Sequence, residues 1–235
     1  MKIIVFLAAN IAVTYFDIIN VNSDSKDLFS EAQDVQKTNF RRLKVGKAVN
    51  NIVQKAFKMG VKVWSDATCI DFVEDKNAKD KVVVVKEDGS WSELGRIGGD
   101  QRLSLGDRAT VREIQINSFK EGSAVHEIGH VLGLLHTMQR YDRDNYVRIF
   151  TQNIYPNLVV QFNKLSRDLT YVFGLAYDYG SIMHYDEISC SINKQRTMVA
   201  IDPFYQKTMG SDLISFSDVF MINKHYECDG QVQEF

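Results

Sequence analysis

Three histidines and a glycine within one short segment constrain this chain more than any other feature of its sequence. Residues 126–136 read HEIGHVLGLLH. His126 and His130 are four residues apart, so both side chains lie on one face of an α-helix. A helix that continued past Gly133 would carry His136 away along its axis, but glycine readily adopts the left-handed conformation that ends helices. The sequence therefore predicts a helix that stops at Gly133 and a chain that turns back, bringing the third imidazole to the first two.

The residue types in this segment suit metal chemistry. Imidazole nitrogens bind zinc at about 2.0–2.1 Å. Glu127 follows the first histidine, and the helical turn places its carboxylate beside a bound metal, where it can take a proton from a metal-activated water. We therefore expect His126, His130 and His136 to hold one zinc ion, with Glu127 as the general base of a metalloprotease. For the shorter pattern His-Glu-x-x-His alone, the alternative is an amphipathic helix with two surface histidines.

A second motif follows the first at Ser181-Ile182-Met183-His184-Tyr185. It has the pattern of the methionine-containing turn that lies beneath the zinc-binding histidines in metzincins. The alternative is a buried methionine at an ordinary strand end. Four of the five histidines of the chain fall in these two motifs, and their joint occurrence favours the metal site.

Together with the stretches 68–73, 91–106 and 140–147, these motifs resemble the astacin family of zinc metalloendopeptidases. The similarity runs from about residue 43 to residue 228. It implies an α+β, metzincin-like fold with two lobes and a catalytic domain over 42–230. The N-terminal lobe, 42–133, would hold a mixed sheet and the active-site helix, and the C-terminal lobe, 134–230, would be mostly irregular.

The resemblance also assigns roles to individual residues. It implies that Met183 forms an apolar floor under the histidines and that Tyr185 ligates the resting zinc before hydrogen-bonding the reaction's oxyanion. It further implies that Gln101, Leu103 and Leu105 lie on an edge strand, along which an extended peptide substrate pairs antiparallel. For that strand the alternative is a solvated edge without a partner.

Cysteine usage follows the family in part. The resemblance pairs Cys69 with Cys228, a disulfide worth roughly 4–5 kcal/mol in the chain-entropy model for a loop of about 160 residues. It leaves Cys190 as a buried free thiol. The second disulfide of the family is missing, because Ser90 stands where its first cysteine would be. Thr137 stands where most astacins have a glutamate that anchors the freed N-terminus, so we expect no such salt link.

Periodicity predicts four elements. Apolar residues at three- and four-residue spacing from Val45 to Phe57 predict a helix, and the valines of 81–86 predict a buried strand. Alternation over 101–105 predicts a half-buried strand. A closing helix is expected over 213–226. Ser123 is the expected N-cap of the histidine helix.

The N-terminus matches the family least. Residues 1–23 have the basic and apolar regions of a signal peptide, with a buried strand or helix as the alternative. Residues 24–41 have no assigned role, and a remnant propeptide is one interpretation. We find no counterpart of the first strand of the family there and expect that strand to be lost or replaced.

The composition fits one catalytic domain: the chain has 235 residues, 45% hydrophobic residues and a net charge of −2. It gives no indication of nucleic-acid binding or of a membrane span in the mature chain. We expect a secreted, extracellular, monomeric zinc endopeptidase acting on protein or peptide substrates. One alternative is an inactive or weakly active secreted zinc-binding protein that acts as a binder. Another is a cytosolic metal-binding helix protein with reduced cysteines.

Overall fold

The computed structural model describes residues 42–45, 51–106 and 119–228. The predicted signal peptide and the segment 24–41 therefore lie outside the described residues. The described chain divides into two compact units. We call Leu135–Met221 the C-terminal unit, and we call the described residues up to Leu134, together with 222–228, the N-terminal unit.

The last residues of the described chain belong with the N-terminal unit, whereas the sequence placed them in the C-terminal lobe. Cys228 forms a disulfide with Cys69, and the Tyr226 hydroxyl donates a hydrogen bond to the Leu132 carbonyl oxygen at 3.1 Å. These links tie the last described residues to the N-terminal unit. Sequence order alone could not show this return.

The N-terminal unit is built on a five-stranded sheet of order β2-β1-β3-β5-β4. Its strands are β1 (Arg42–Val45), β2 (Asp71–Glu74), β3 (Lys81–Val85), β4 (Ser90–Ser92) and β5 (Asp100–Leu105). Neighbouring strands run parallel except β4, which pairs antiparallel with β5. The predicted valine strand is confirmed as β3, with alternating burial.

The prediction that residues 101–105 form the edge strand is wrong. β5 pairs with β3 on one side and with β4 on the other, so β4 is the outermost of the described strands on that side of the sheet. The side chains of Gln101, Leu103 and Leu105 are only 4%, 0% and 3% exposed. A strand of three residues is too short to show periodicity, and for that reason the sequence did not place β4 outside β5.

From the sequence we expect the first strand of the family to be lost or replaced, and the expectation of loss is wrong. β1 lies between β2 and β3 in the sheet, and it includes Val45, which the sequence assigned to the following helix. Four residues of mixed polarity carry too little pattern to predict a strand. The sheet therefore retains a strand ahead of its first helix.

Two helices of the N-terminal unit pack closely together. They are α1 (Asn51–Ala67) and α2 (Phe119–Val131). A Cβ atom at Gly60 of α1 would lie 2.9 Å from Ile128 Cδ1 and 3.1 Å from the backbone carbon of Ala124, so a larger residue would force Ile128 and the facing backbone to shift. Ser123 lies inside α2, because the helix begins at Phe119, five residues earlier than an N-cap at Ser123 predicts, and it is therefore not the N-cap.

The C-terminal unit is mostly irregular, as predicted. It contains short 3₁₀ turns and a two-stranded antiparallel sheet of β6 (Val147–Ile149) and β7 (Met198–Ala200). Its core is a cluster of buried residues: Met138, Val147, Ile154, Phe162, Tyr177, Tyr179, Met198, Ala200 and Met209.

The closing helix is confirmed as α3 (Phe216–His225). Within the described ranges, every helix is too short or too polar to span a bilayer.

Candidate metal centre

The histidine helix ends where the sequence predicts. α2 stops at Val131, and Gly133 has a φ of +100°. The Gly133 N–H donates to the His130 carbonyl at 2.9 Å, and the Leu134 N–H donates to the Gly129 carbonyl at 2.9 Å. This pair of bonds is the Schellman arrangement, which requires a residue in the left-handed conformation. Glycine at this position reverses the chain just ahead of His136.

The reversal brings the three predicted ligands together, along one continuous stretch of chain. One nitrogen from each of His126, His130 and His136 lies within 4.8 Å of the others. His130 and His136 are 4% and 3% exposed, and His126 is half-buried. Three imidazole nitrogens converging in this way match the donor set of catalytic zinc sites, which keep a further position open.

Hydrogen bonding and burial hold the ligands in the form that binds metal. His130 Nδ1 lies 2.7 Å from the Leu134 carbonyl oxygen. Because a carbonyl only accepts, Nδ1 carries the proton and Nε2 is the basic nitrogen. Burial lowers the pKa of both His130 and His136 to about 3. Both imidazoles are therefore neutral at physiological pH, as a metal ligand must be.

Glu127 provides a test of whether the residues fit a metal. Its side chain is 5% exposed, and Oε2 has no hydrogen-bond partner in the structure. Burial raises the pKa of this carboxyl to about 8. A buried carboxylate oxygen without a donor is costly. A divalent cation with its water would supply both charge and donor, so the residues present fit a zinc site.

Donors from outside α2 fix the positions of carbonyl groups in this helix and in Leu132, which follows it directly. Sequence reasoning missed these contacts, because each joins residues far apart in the chain. The bonds are Trp64 Nε1 to Val125 O at 2.9 Å, Ser92 Oγ to Glu127 O at 2.9 Å, Gly95 N to His130 O at 2.8 Å and Tyr226 Oη to Leu132 O at 3.1 Å. The helix that carries two ligands and the carboxylate is therefore held at several points along its length.

The methionine motif forms a turn in the C-terminal unit. We call Ser181–Tyr185 the Met-turn. Met183 is 1% exposed, and its carbonyl oxygen accepts from the Thr137 N–H at 3.1 Å. Since Thr137 follows His136 directly, this bond ties the Met-turn to the third histidine. The ring of Tyr185 packs against that of His136 with centroids 4.5 Å apart.

His184 has a structural environment. Its Nδ1 lies 2.7 Å from the Tyr185 carbonyl and its Nε2 lies 2.8 Å from the Tyr177 hydroxyl. Nδ1 therefore donates and Nε2 accepts from the phenol. The side chain is 3% exposed, and burial lowers its pKa to about 4. Both ring nitrogens are thus used within the C-terminal unit.

The cysteines behave largely as expected. Cys69 and Cys228 form the predicted disulfide. Cys190 is free, but half-buried and not fully buried as predicted. Burial raises the pKa of its thiol to about 11, so the thiol is protonated at neutral pH.

Comparison with known proteins adds a family match. Residues 39–227 match the family model described as Astacin (Peptidase family M12A). Zinc metalloproteinase nas-31 of Caenorhabditis elegans is 44% identical over 176 residues, which are 75% of this chain and 27% of that protein. Zinc metalloproteinase nas-36 of Brugia malayi is 34% identical over 177 residues, 74% of this chain and 29% of that protein. The chain thus spans less than a third of these two relatives.

A solved structure shows the same likeness. The high choriolytic enzyme 1 of Oryzias latipes, a hatching enzyme zinc-protease, superposes with a TM-score of 0.69 at 32% identity, covering 80% of this chain and 90% of that one. Myroilysin shares the fold, with a TM-score of 0.55 at 20% identity, covering 82% of this chain and 96% of that one.

Proposed function

Because this chain belongs to the astacin family of peptidases, we propose that it is a zinc-dependent metalloendopeptidase that hydrolyses internal bonds of protein or peptide substrates. The observation that carries the proposal is the cluster of His126, His130 and His136 beside Glu127, whose buried Oε2 has no hydrogen-bond partner. One zinc ion held by the three histidines would supply Lewis acidity, lowering the pKa of a water toward about 7.

Glu127 is the proposed general base. Its carboxylate accepts a proton from the attacking water and then delivers that proton to the departing amine nitrogen. The buried position excludes bulk solvent from this exchange, and the Ser92 bond to the Glu127 carbonyl fixes the backbone that carries the carboxylate. The proton transfer therefore occurs at a positioned group.

Tyr185 is the proposed donor to the oxyanion. Its ring is held between His136 and Phe162, with centroid distances of 4.5 Å and 5.6 Å. A phenol O–H fixed in this way can donate to the negative charge that develops on the scissile carbonyl oxygen. Met183 is buried in the same turn and serves packing, not chemistry.

We place the substrate along β4. This strand ends the sheet within the part of the chain that the structure describes, so an extended peptide can add to it by backbone hydrogen bonds. Ser92 belongs to β4 and also donates to the Glu127 carbonyl. Peptide bound along this strand would therefore lie next to the residue that supports the general base.

We also propose that the protein is secreted. The disulfide between Cys69 and Cys228 supports this location, because disulfides persist in oxidising compartments and are rare in the cytosol. A cytosolic protein would be expected to carry these cysteines reduced.

The deciding experiment measures zinc content and cleavage of a quenched peptide library by the purified protein, by Glu127→Gln and by the control Glu74→Gln on the exposed end of β2. The proposal expects one zinc in all three proteins, cleavage that chelators abolish, and a loss of roughly 10²–10⁴-fold in Glu127→Gln alone. Equal cleavage by Glu127→Gln and the parent would refute the role of Glu127. Bound zinc without cleavage in any of the three would instead support the binder alternative.

A further inference from the structure

The first turn of α3 contains a buried carboxylate that the proposed function does not use. Asp218 is 0% exposed. Its Oδ2 accepts from the Ser215 N–H at 2.9 Å, and its own N–H donates to Ser215 Oγ at 3.1 Å. This reciprocal pair is a capping box, which satisfies two orphan donors at the start of a helix.

Capping explains only part of the environment of Asp218. Its Oδ1 accepts from the Ser181 hydroxyl at 2.6 Å, and its Oδ2 also accepts from the Ile182 N–H at 3.0 Å. Both of these donors belong to the Met-turn. An exposed carboxylate would cap the helix equally well, so burial of this one is accounted for by the contacts to the turn.

The network continues from Asp218 to the third histidine. The Ser181 hydroxyl, while donating to Asp218, accepts from the Met183 N–H at 3.0 Å. The Met183 carbonyl accepts from the Thr137 N–H at 3.1 Å, directly after His136 in the chain. Hydrogen bonds thus connect the start of α3 to the backbone next to a metal ligand.

The same bonds set the path of the chain toward Tyr185. The His184 N–H donates to the Ser181 carbonyl at 3.0 Å and closes the turn. Ser181 is therefore fixed by its hydroxyl and its carbonyl together. A shift of Ser181 would move Met183 and Tyr185 with it.

We propose that Asp218 is a positioning residue of the metal centre, holding the Met-turn in register so that His136 and Tyr185 keep their places. The proposal rests on the proposed function for its catalytic consequence, but the structural link is independent of it. All three groups that approach the carboxylate oxygens here are donors, which suits an ionised side chain. Asparagine has the same shape but turns an NH₂ group toward at least one of these donors.

The test compares three variants of the full protein. Asp218→Asn and Ser181→Ala break the link to the Met-turn from its two ends. Ser215→Ala is the matched control, because it removes a hydrogen bond at the same helix start and leaves the contacts between Asp218 and the turn. The measurements are kcat and KM on a cleavable peptide, the rate of zinc transfer to a chelator, the melting temperature, and hydrogen exchange at the amides of Met183 and His184 in the metal-free protein.

In Asp218→Asn and Ser181→Ala we expect a kcat that is lower, or a rate of zinc transfer to the chelator that is higher, by roughly 10–100-fold, as is usual for groups that orient metal ligands. KM should change little. The amides of the turn should exchange faster in both. The double variant Asp218→Asn/Ser181→Ala should show effects little larger than those of either single variant, because both changes break the same hydrogen-bond network. Ser215→Ala should lower the melting temperature without faster zinc transfer or faster exchange in the turn.

A purely structural Asp218 would give the opposite pattern. All three variants would then lower the melting temperature, while kcat, zinc transfer and exchange in the turn would match the parent, and the proposal would be overturned. If Asp218→Asn does not fold, Ser181→Ala carries the test alone. If the parent binds zinc but cleaves nothing, the proposed function fails, while the zinc-transfer and exchange measurements still decide the role of Asp218.

Discussion

The indole Nε1 of Trp64 lies 2.9 Å from the carbonyl oxygen of Val125, the residue just before His126, the first of the proposed metal ligands. Trp64 is 0% exposed and lies on α1, whereas Val125 lies on α2. The bond therefore fixes the histidine helix against a second helix, one turn along α1 from Gly60, where a Cβ atom would lie 3.1 Å from the backbone of Ala124 and Val125. This contact places His126 by packing and hydrogen bonding together.

Replacing Trp64 by phenylalanine should test this support. Trp64→Phe removes the donor and leaves a small cavity, so we expect a loss of about 2–4 kcal/mol in the free energy of unfolding. Urea denaturation measures it. Trp91→Phe is the matched control, because Trp91 is half-buried on β4 and stacks with Arg102. This variant should lose less of the free energy of unfolding than Trp64→Phe. Equal losses of stability in the two variants would show that the hydrogen bond to Val125 contributes no more than the contacts of Trp91.

Tyr185→Phe should separate catalysis from packing. The ring contacts with His136 and Phe162 remain, while the proposed oxyanion donor is lost. We expect kcat to fall by roughly 10²–10³-fold with zinc content and melting temperature near those of the parent. Steady-state kinetics on a peptide substrate measures this, with the exposed Tyr155→Phe as control. A parent-like kcat in Tyr185→Phe would remove the tyrosine from the mechanism.

Loss of the disulfide should cost more stability than loss of the free thiol. Cys69 and Cys228 are separated by 159 residues. The double variant Cys69→Ser/Cys228→Ser should therefore lose about 4–5 kcal/mol in the chain-entropy model. Cys190→Ser, which breaks no bridge, should lose much less. Urea denaturation under non-reducing conditions compares the two, and similar losses would mean that the bridge stabilises little beyond its local packing.

Acid should destabilise the metal-free protein through His184. Its pKa is lowered from 6.5 to about 4 by burial. The unfolded chain therefore binds this proton first as the pH falls, and the free energy of unfolding should decrease between about pH 6.5 and pH 4. For this one group the decrease is at most about 3.4 kcal/mol.

The pH effect is measured as a difference, because His130 and His136 titrate in the same direction in the chelated protein. Unfolding of the parent and of His184→Gln is compared at steps from pH 7.5 to pH 4. The stability of His184→Gln should depend less steeply on pH over this window. Parallel curves would show that His184 does not contribute the expected pH dependence.

The parts of the site that the sequence predicted depend on neighbours in the chain. His126 and His130 share a helix face because of helical periodicity, and Gly133 ends the helix because of its own conformational freedom. The path to His136 follows from these two facts. The bridge between Cys69 and Cys228 and the place of Tyr185 came instead from resemblance to a family.

Tertiary structure decided what joins distant residues. The sequence assigned 101–105 to the edge of the sheet, yet β4 covers that strand with only three residues. Nothing near Trp64 or Asp218 in sequence shows that Trp64 bonds to the histidine helix or that Asp218 bonds to the Met-turn, because their partners are 61 and 36 or 37 residues away. Local residues specified the three histidines and the turn between them. Long-range packing decided which buried donors and acceptors hold these histidines in place. Hydrogen bonds of that kind depend on where the folded chain brings separate elements together, which neighbours in sequence do not determine.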